Sequence, residues 1–109
     1  MNFLLGVTSR AKRDVQIILR FIEKRSRRGA DAWYRRFELV ISGISESPSA
    51  FGLAPENDDH EETIRQAIFK TRKGLAYRAI FIVRESTVFV IHVRGPGQTN
   101  LDADEVEFP

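Results

Sequence analysis

The 109-residue chain carries 17 Lys and Arg against 15 Asp and Glu, a net charge of +2, with 42% hydrophobic residues, two His and no Cys. This is enough apolar content for one self-folding domain over residues 1–109, and the missing Cys exclude a disulfide framework, a thiolate metal site and a cysteine nucleophile. Two His fall short of any zinc-ligand spacing, so neither a metal nor a cofactor is expected. The apolar start Phe3-Leu4-Leu5 gives way at once to Thr8-Ser9-Arg10-Ala11-Lys12-Arg13. That pattern fits neither a signal peptide nor a membrane span, and a cytoplasmic location follows as the expectation.

In chain order, residues 2–7 read as a short strand running into the capping residues Thr8 and Ser9. Ala11, Val15, Ile18, Leu19 and Ile22 then recur at helical spacing, and Gly29, preceded by Lys24, Arg25, Arg27 and Arg28, is the expected stop. A second helix is predicted from Ala30, with Trp33, Tyr34, Phe37, Ile41 and Ile44 on one stripe and Ser45 to Pro48 ending it. Trp33 belongs to the core of this helical hairpin. Residues 45–62 form a long acidic loop whose Phe51 and Leu53 should dip back onto the apolar surface. Three strand-like runs follow, Ile64 to Phe69, Leu75 to Arg84 and Thr87 to Arg94, punctuated by Lys73-Gly74 and Glu85-Ser86 into an antiparallel meander. The fold class is α+β: an N-terminal strand, an α-helical hairpin, then a three-stranded antiparallel meander with the helices on one face. An acidic tail, about 95–109, is expected to be a flexible end, or in a sharper version to fold back over the basic sheet.

The small net charge hides strong polarisation. Between Arg65 and Arg94 seven basic residues face one acid, Glu85; the first 36 residues hold ten cations, whereas residues 37–62 hold seven acids and no Lys or Arg. A sheet threaded with Arg and Lys is suited to meeting phosphates or carboxylates. Its plainer alternatives are a solvated or ion-paired Arg78 on the open face of a half-covered sheet, a structural histidine at His92 and a soluble turn at Lys70, Arg72 and Lys73.

The order of elements, with Tyr-Arg-Ala-Ile-Phe at 77–81 and Val-Ile-His-Val-Arg at 90–94, resembles the RelE/ParE superfamily of bacterial toxins from type II toxin–antitoxin modules. The likeness extends to Thr8-Ser9-Arg10-Ala11-Lys12-Arg13-Asp14, Ala30-Asp31-Ala32-Trp33, Ser47-Pro48, Leu53-Ala54-Pro55-Glu56 and Ile64-Arg65. It implies a cognate antitoxin as partner. It also implies one of two targets: ribosome-bound mRNA, which RelE-like members cut, or DNA gyrase, which ParE-like members poison.

Metal-free RNA cleavage requires a 2′-hydroxyl to be deprotonated, phosphorane charge to be stabilised and a leaving 5′-oxygen to be protonated. The resemblance places Arg78 against the scissile phosphate and Arg94 at the closing strand end, and His92 is the residue there able to exchange a proton near neutrality. These three are the candidate catalytic residues. Arg65, Lys70, Arg72 and Lys73 are the candidate nucleic-acid or target-binding residues. Strand parity leaves their convergence open: Arg78 joins His92 and Arg94 only if the hairpin loop has an odd number of residues, and a two-residue Glu85-Ser86 turn puts Tyr77 there instead. The family pattern implies the arrangement that includes Arg78. As solvent-facing residues, Arg78 and Arg94 are expected to tolerate Ala at a cost within about 1 kcal/mol.

Two departures set the branch. Tyr34 and Tyr77 are the only tyrosines, and Gly95-Pro96-Gly97-Gln98 follows the last strand with nothing basic beyond Arg94. The resulting expectation is a ParE-like toxin of the plasmid-stabilisation type. The alternatives are a RelE-like ribosome-dependent mRNA endonuclease and a non-toxic, decayed binding module of the same fold.

Overall fold

The computed structural model describes residues 2–72 and 74–109. A short strand β1 (Leu4–Val7) leads into helices α1 (Ser9–Glu23) and α2 (Arg27–Glu46). Two short 3-10 segments follow, Pro48–Ala50 and Pro55–Asp59, and then β2 (Arg65–Phe69), β3 (Tyr77–Arg84) and β4 (Thr87–Arg94). The expected α+β order is the observed one. The sheet order is β1-β4-β3-β2, antiparallel except for β1, which pairs parallel to β4. The helical hairpin serves as the crossover that a parallel neighbour requires.

Thr8 caps α1 by accepting the Ala11 N–H at 3.2 Å. It also ties the helix to β4, its own N–H donating to the Val90 carbonyl at 3.0 Å and its hydroxyl to the Ile91 carbonyl at 3.3 Å. The helix break differs from the expectation built on Gly29: α1 ends at Glu23, and Ser26, in extended conformation, caps α2 by accepting the Gly29 N–H at 2.9 Å. A serine able to satisfy an orphan N–H starts the second helix before glycine can stop the first. Gly29 instead permits close packing, since a Cβ there would meet Ser26 and Ile22 at 3.2 and 3.3 Å.

Trp33 is buried as expected, stacked on Phe37 with ring centroids 5.5 Å apart and edge-on to Tyr77 at 5.4 Å. Around it Ala11, Val15 and Ile44 pack with Phe69, Phe81 and Val90 to form the core between hairpin and sheet. Phe51 anchors the acidic loop edge-on against Phe81, with centroids 5.9 Å apart. Leu53 does not dip back; its backbone bridges Arg65 while its side chain stays exposed.

The other sheet face is not open. Ile80, Ile82 and Ile91 pack with Ala54, Ile64 and two residues of the tail, Leu101 and Val106. The expectation of a flexible acidic end is thereby corrected, and the fold-back version describes what is seen. Coverage on both sides explains why β3 and β4 read as near-continuous apolar runs instead of alternating ones. Replacing Ser26 with Ala should lower the unfolding free energy by about 1 kcal/mol in urea titration, through loss of the α2 cap alone.

Candidate functional site

The hairpin joining β3 and β4 has the two-residue Glu85-Ser86 turn, with Arg84 opposite Thr87 and Glu85 at φ 57°. By simple alternation Tyr77 would share a face with His92 and Arg94. The pairing shifts between Ile80 and Phe81, however: Phe81 faces Val90, while Ile80 faces His92 and Arg78 faces Arg94. Ile91 is the extra residue of a β-bulge, and that single insertion supplies the odd count the loop does not. Arg78, His92 and Arg94 therefore converge on the face opposite the helices, and Tyr77 turns inward toward Trp33.

Each of the three is engaged within the protein. Arg78 makes a bidentate pair with Glu56, Nη1 to Oε1 at 2.7 Å and Nη2 to Oε2 at 2.6 Å, and also donates to Gln66 Oε1 at 3.1 Å. The Glu56 side chain is fully enclosed, and its Oε2 additionally accepts the Leu101 N–H at 2.9 Å. Arg94 Nη2 donates to the Thr99 carbonyl at 2.6 Å. His92 is buried, and its Nε2 accepts the Glu107 N–H at 2.9 Å. That bond places the neutral imidazole proton on Nδ1, which lies 3.8 Å from Asp14 Oδ2, beyond hydrogen-bond reach. Asp14 itself is committed, with Oδ2 accepting the Val93 N–H at 3.0 Å and Oδ1 the Arg10 Nε at 3.1 Å.

These contacts set the electrostatics. Burial pushes the Glu56 carboxyl up, but the Arg78 and Leu101 hydrogen bonds outweigh it and hold the pKa at about 2. Burial pulls His92 below its ordinary value, against the opposing attraction of Asp14, so the ring is kept neutral. Arg78 is correspondingly not the solvent-facing residue expected from the sequence, since only 15% of its side chain is exposed. The sequence marked Glu56 only as the end of Leu53-Ala54-Pro55-Glu56, and nothing in composition assigns it, over Asp58, Asp59, Glu61 and Glu62 of the same loop, as the partner of Arg78.

The other candidates divide. Arg65 lies on the helix side of the sheet, opposite Phe81, and its Nη1 donates to the Phe51 carbonyl at 2.7 Å, so it fastens the acidic loop. Lys70 and Arg72 are exposed and meet Arg35 and Arg36 of α2 around an open groove of about 430 Å³ that also touches Leu39. The α2 contribution was hidden in sequence, where Arg35 and Arg36 are separated from the turn by more than thirty positions. Lys73 lies outside the described residues.

No family model matches the chain, and no curated protein matches it. Among solved structures it is similar to E. coli toxin RelE, a double arginine-to-alanine mutant in the free state, with a TM-score of 0.55 and 18% identity over 89% of this chain and 86% of that one. The chain has a RelE-type toxin fold. No helix among the described residues is long and apolar enough to cross a membrane.

Two outcomes test this geometry. Arg78→Ala would leave the Glu56 carboxylate buried without its partner and should cost about 3–5 kcal/mol in denaturant unfolding, far above the 1 kcal/mol of an exposed site. The unfolded chain binds protons more readily at both His92 and Glu56, so acid should destabilise in two windows. The first opens as pH falls below the ordinary histidine value of 6.5, and the second as it falls from the ordinary 4.5 of glutamate toward about 2. Urea midpoints measured across pH would show both steps, and His92→Gln should remove the first.

Proposed function

We propose that this chain is the toxin of a type II toxin–antitoxin pair, acting in the cytoplasm by gripping a macromolecular target in the ParE-like manner, with DNA gyrase as the first target to examine. The carrying observation is that, among the described residues, the face holding Arg78 and Arg94 has no free acid–base pair. His92 is enclosed with its Nε2 lone pair in use, Tyr77 packs on the helix side, and Tyr34 lies on α2. Guanidinium groups stabilise charge, but they do not exchange protons near neutrality. A surface so equipped suits recognition better than RNA cleavage.

The working surface in this reading is the Arg78, His92 and Arg94 face together with the exposed cations Lys70 and Arg72 and, in the sequence between Arg72 and Gly74, Lys73. Arg65 is left out because it points to the helix side. A cognate antitoxin would cover Ile17, Phe21 and Leu39, which the hairpin leaves exposed beside Arg13, Arg20, Arg35 and Arg36. Binding of that kind buries apolar side chains within a field of cations and favours an acidic amphipathic segment.

A second reading, a RelE-like ribosome-dependent mRNA endonuclease, is favoured by the direct opposition of Arg78 and Arg94 across the β3–β4 ladder. Both readings are separated by inducing the protein in bacterial cells while following growth and mapping mRNA 5′ ends, with gyrase supercoiling assayed on the purified protein. The expected result is growth arrest and inhibited supercoiling without new mRNA ends. New ends at fixed codon positions would establish the endonuclease instead, and unimpaired growth would leave a binding module of toxin fold. The double variant Lys70→Glu/Arg72→Glu should lose inhibition while its stability stays within about 0.5 kcal/mol of the parent, as both side chains are exposed.

A further inference from the structure

We propose that residues 96–109 are an intramolecular inhibitor, a strap that occupies the cationic sheet face and must lift before that face can engage its target. The inference rests on the toxin reading above and concerns how the same surface is regulated.

The strap contacts each described cation of that face, beside Glu56, which holds Arg78, and Glu62, which holds Arg84. Thr99 gives its carbonyl to Arg94 at 2.6 Å, Asn100 its side-chain oxygen to Arg78 at 3.4 Å, and Pro109 its carbonyl to Arg84 at 3.1 Å. Glu107 takes Arg10 at 2.6 Å with its carboxylate and blocks His92 Nε2 with its N–H. Oxygens thus stand at the cations where the oxygens of an anionic target would stand, while Asp102, Asp104 and Glu105 stay exposed and add a repelling field beside them. Of the seven basic residues counted between Arg65 and Arg94, those on this face are all quenched from within, whereas Lys70 and Arg72 at the far turn are not.

The attachment is of a kind that can open without unfolding the sheet. The strap contributes no strand to the ladder, and it is held by the contacts just named, the Leu101 N–H on Glu56, the buried side chains Leu101 and Val106, and Phe108, edge-on to His60 at 5.2 Å and under Arg84 at 6.0 Å. Segments held by few apolar contacts and isolated hydrogen bonds exchange by local opening at less cost than core strands. A hinge is present: the chain leaves β4 through Gly95-Pro96-Gly97, with Gly97 at φ 80°, a conformation glycine adopts without the Cβ penalty.

The test uses two full-length variants. Val106→Asp places a carboxylate in the apolar seat of the strap, and Glu107→Pro removes both the N–H on His92 and the carboxylate on Arg10. Labelling of Arg94 by phenylglyoxal, mapped by mass spectrometry, reads the masking directly, with Arg84, already 41% exposed and held by Glu62 outside the strap, as the internal reference. Amide exchange in β3 and β4 reads whether the sheet stays folded, and growth after induction at matched protein levels reads inhibition. We expect labelling to rise about tenfold, with β3 and β4 still protected, and growth inhibition to deepen. If Val106→Asp loses sheet protection, Glu107→Pro alone decides. Unchanged labelling in the folded variants would overturn the strap as a mask. Faster labelling with inhibition no stronger than that of an inhibitory parent would overturn its role as an inhibitor while leaving the toxin reading intact. No inhibition by parent or variants would instead overturn the toxin reading, and the proposed inhibitory role with it.

Discussion

The buried pair between Glu56 and Arg78 is the interaction on which the second face of this protein depends. A carboxylate withdrawn from water is costly unless its lone pairs are taken up, and here two guanidinium bonds and one backbone N–H take them up. Those three bonds come from different parts of the chain, so one side chain fixes the acidic loop to β3 and to the C-terminal segment at once. Without the pair, the loop and the tail would lose a polar tie that joins them, leaving Arg65 and Arg84 to hold the loop and Arg94, Arg10 and His92 to hold the tail. The apolar contacts of Ala54, Ile64 and Leu101 then add burial to a placement the ion pair has already specified.

A second constraint is the bulge at Ile91. In a regular ladder with a two-residue turn, His92 and Arg94 would sit on the helix side, away from Arg78, which alternation along β3 keeps on the face of Ile80 and Ile82. The inserted residue reverses the parity of β4 beyond it, so that His92 and Arg94 join Arg78 on the face opposite Tyr77 and its aromatic cluster with Trp33 and Phe69. Thr8 holds the bulged residue by its carbonyl, which couples the start of α1 to the register of the site.

Together these features divide the cations into two populations. Among the described residues, Arg10 and the cations on the sheet face are matched by internal oxygens, whereas Arg35, Arg36, Lys70 and Arg72 are drawn around one open groove. Long-range attraction of an anionic target would be set by the second population, because matched charges contribute little field beyond their own contacts. Close engagement would involve the first. A RelE-type fold carrying this division can combine steering by exposed cations with control over access to the concealed ones.

By itself the sequence determined the α+β class, the strand–hairpin–meander order, the burial of Trp33 and the apolar stripes of both helices except at Tyr34, which is exposed at the edge of its stripe, because periodicity and capping are local properties of neighbouring residues. It also singled out Arg78, His92 and Arg94. Their convergence was not legible, since it turns on a one-residue bulge that no local preference around Ile91 announces. Nor was Glu56 assignable to Arg78, or Arg35 and Arg36 to the Lys70 and Arg72 groove, because such groupings exist only once distant segments pack. Helix ends were decided by competition between two plausible signals, Ser26 as a cap and Gly29 as a stop, which differ by a single hydrogen bond. Only the tertiary structure decided that the acidic tail lies on the sheet: its hold comes from Leu101, Val106 and Glu107 meeting Ile80, Ile82, Ile91, Arg10 and His92, contacts between residues far apart in the chain.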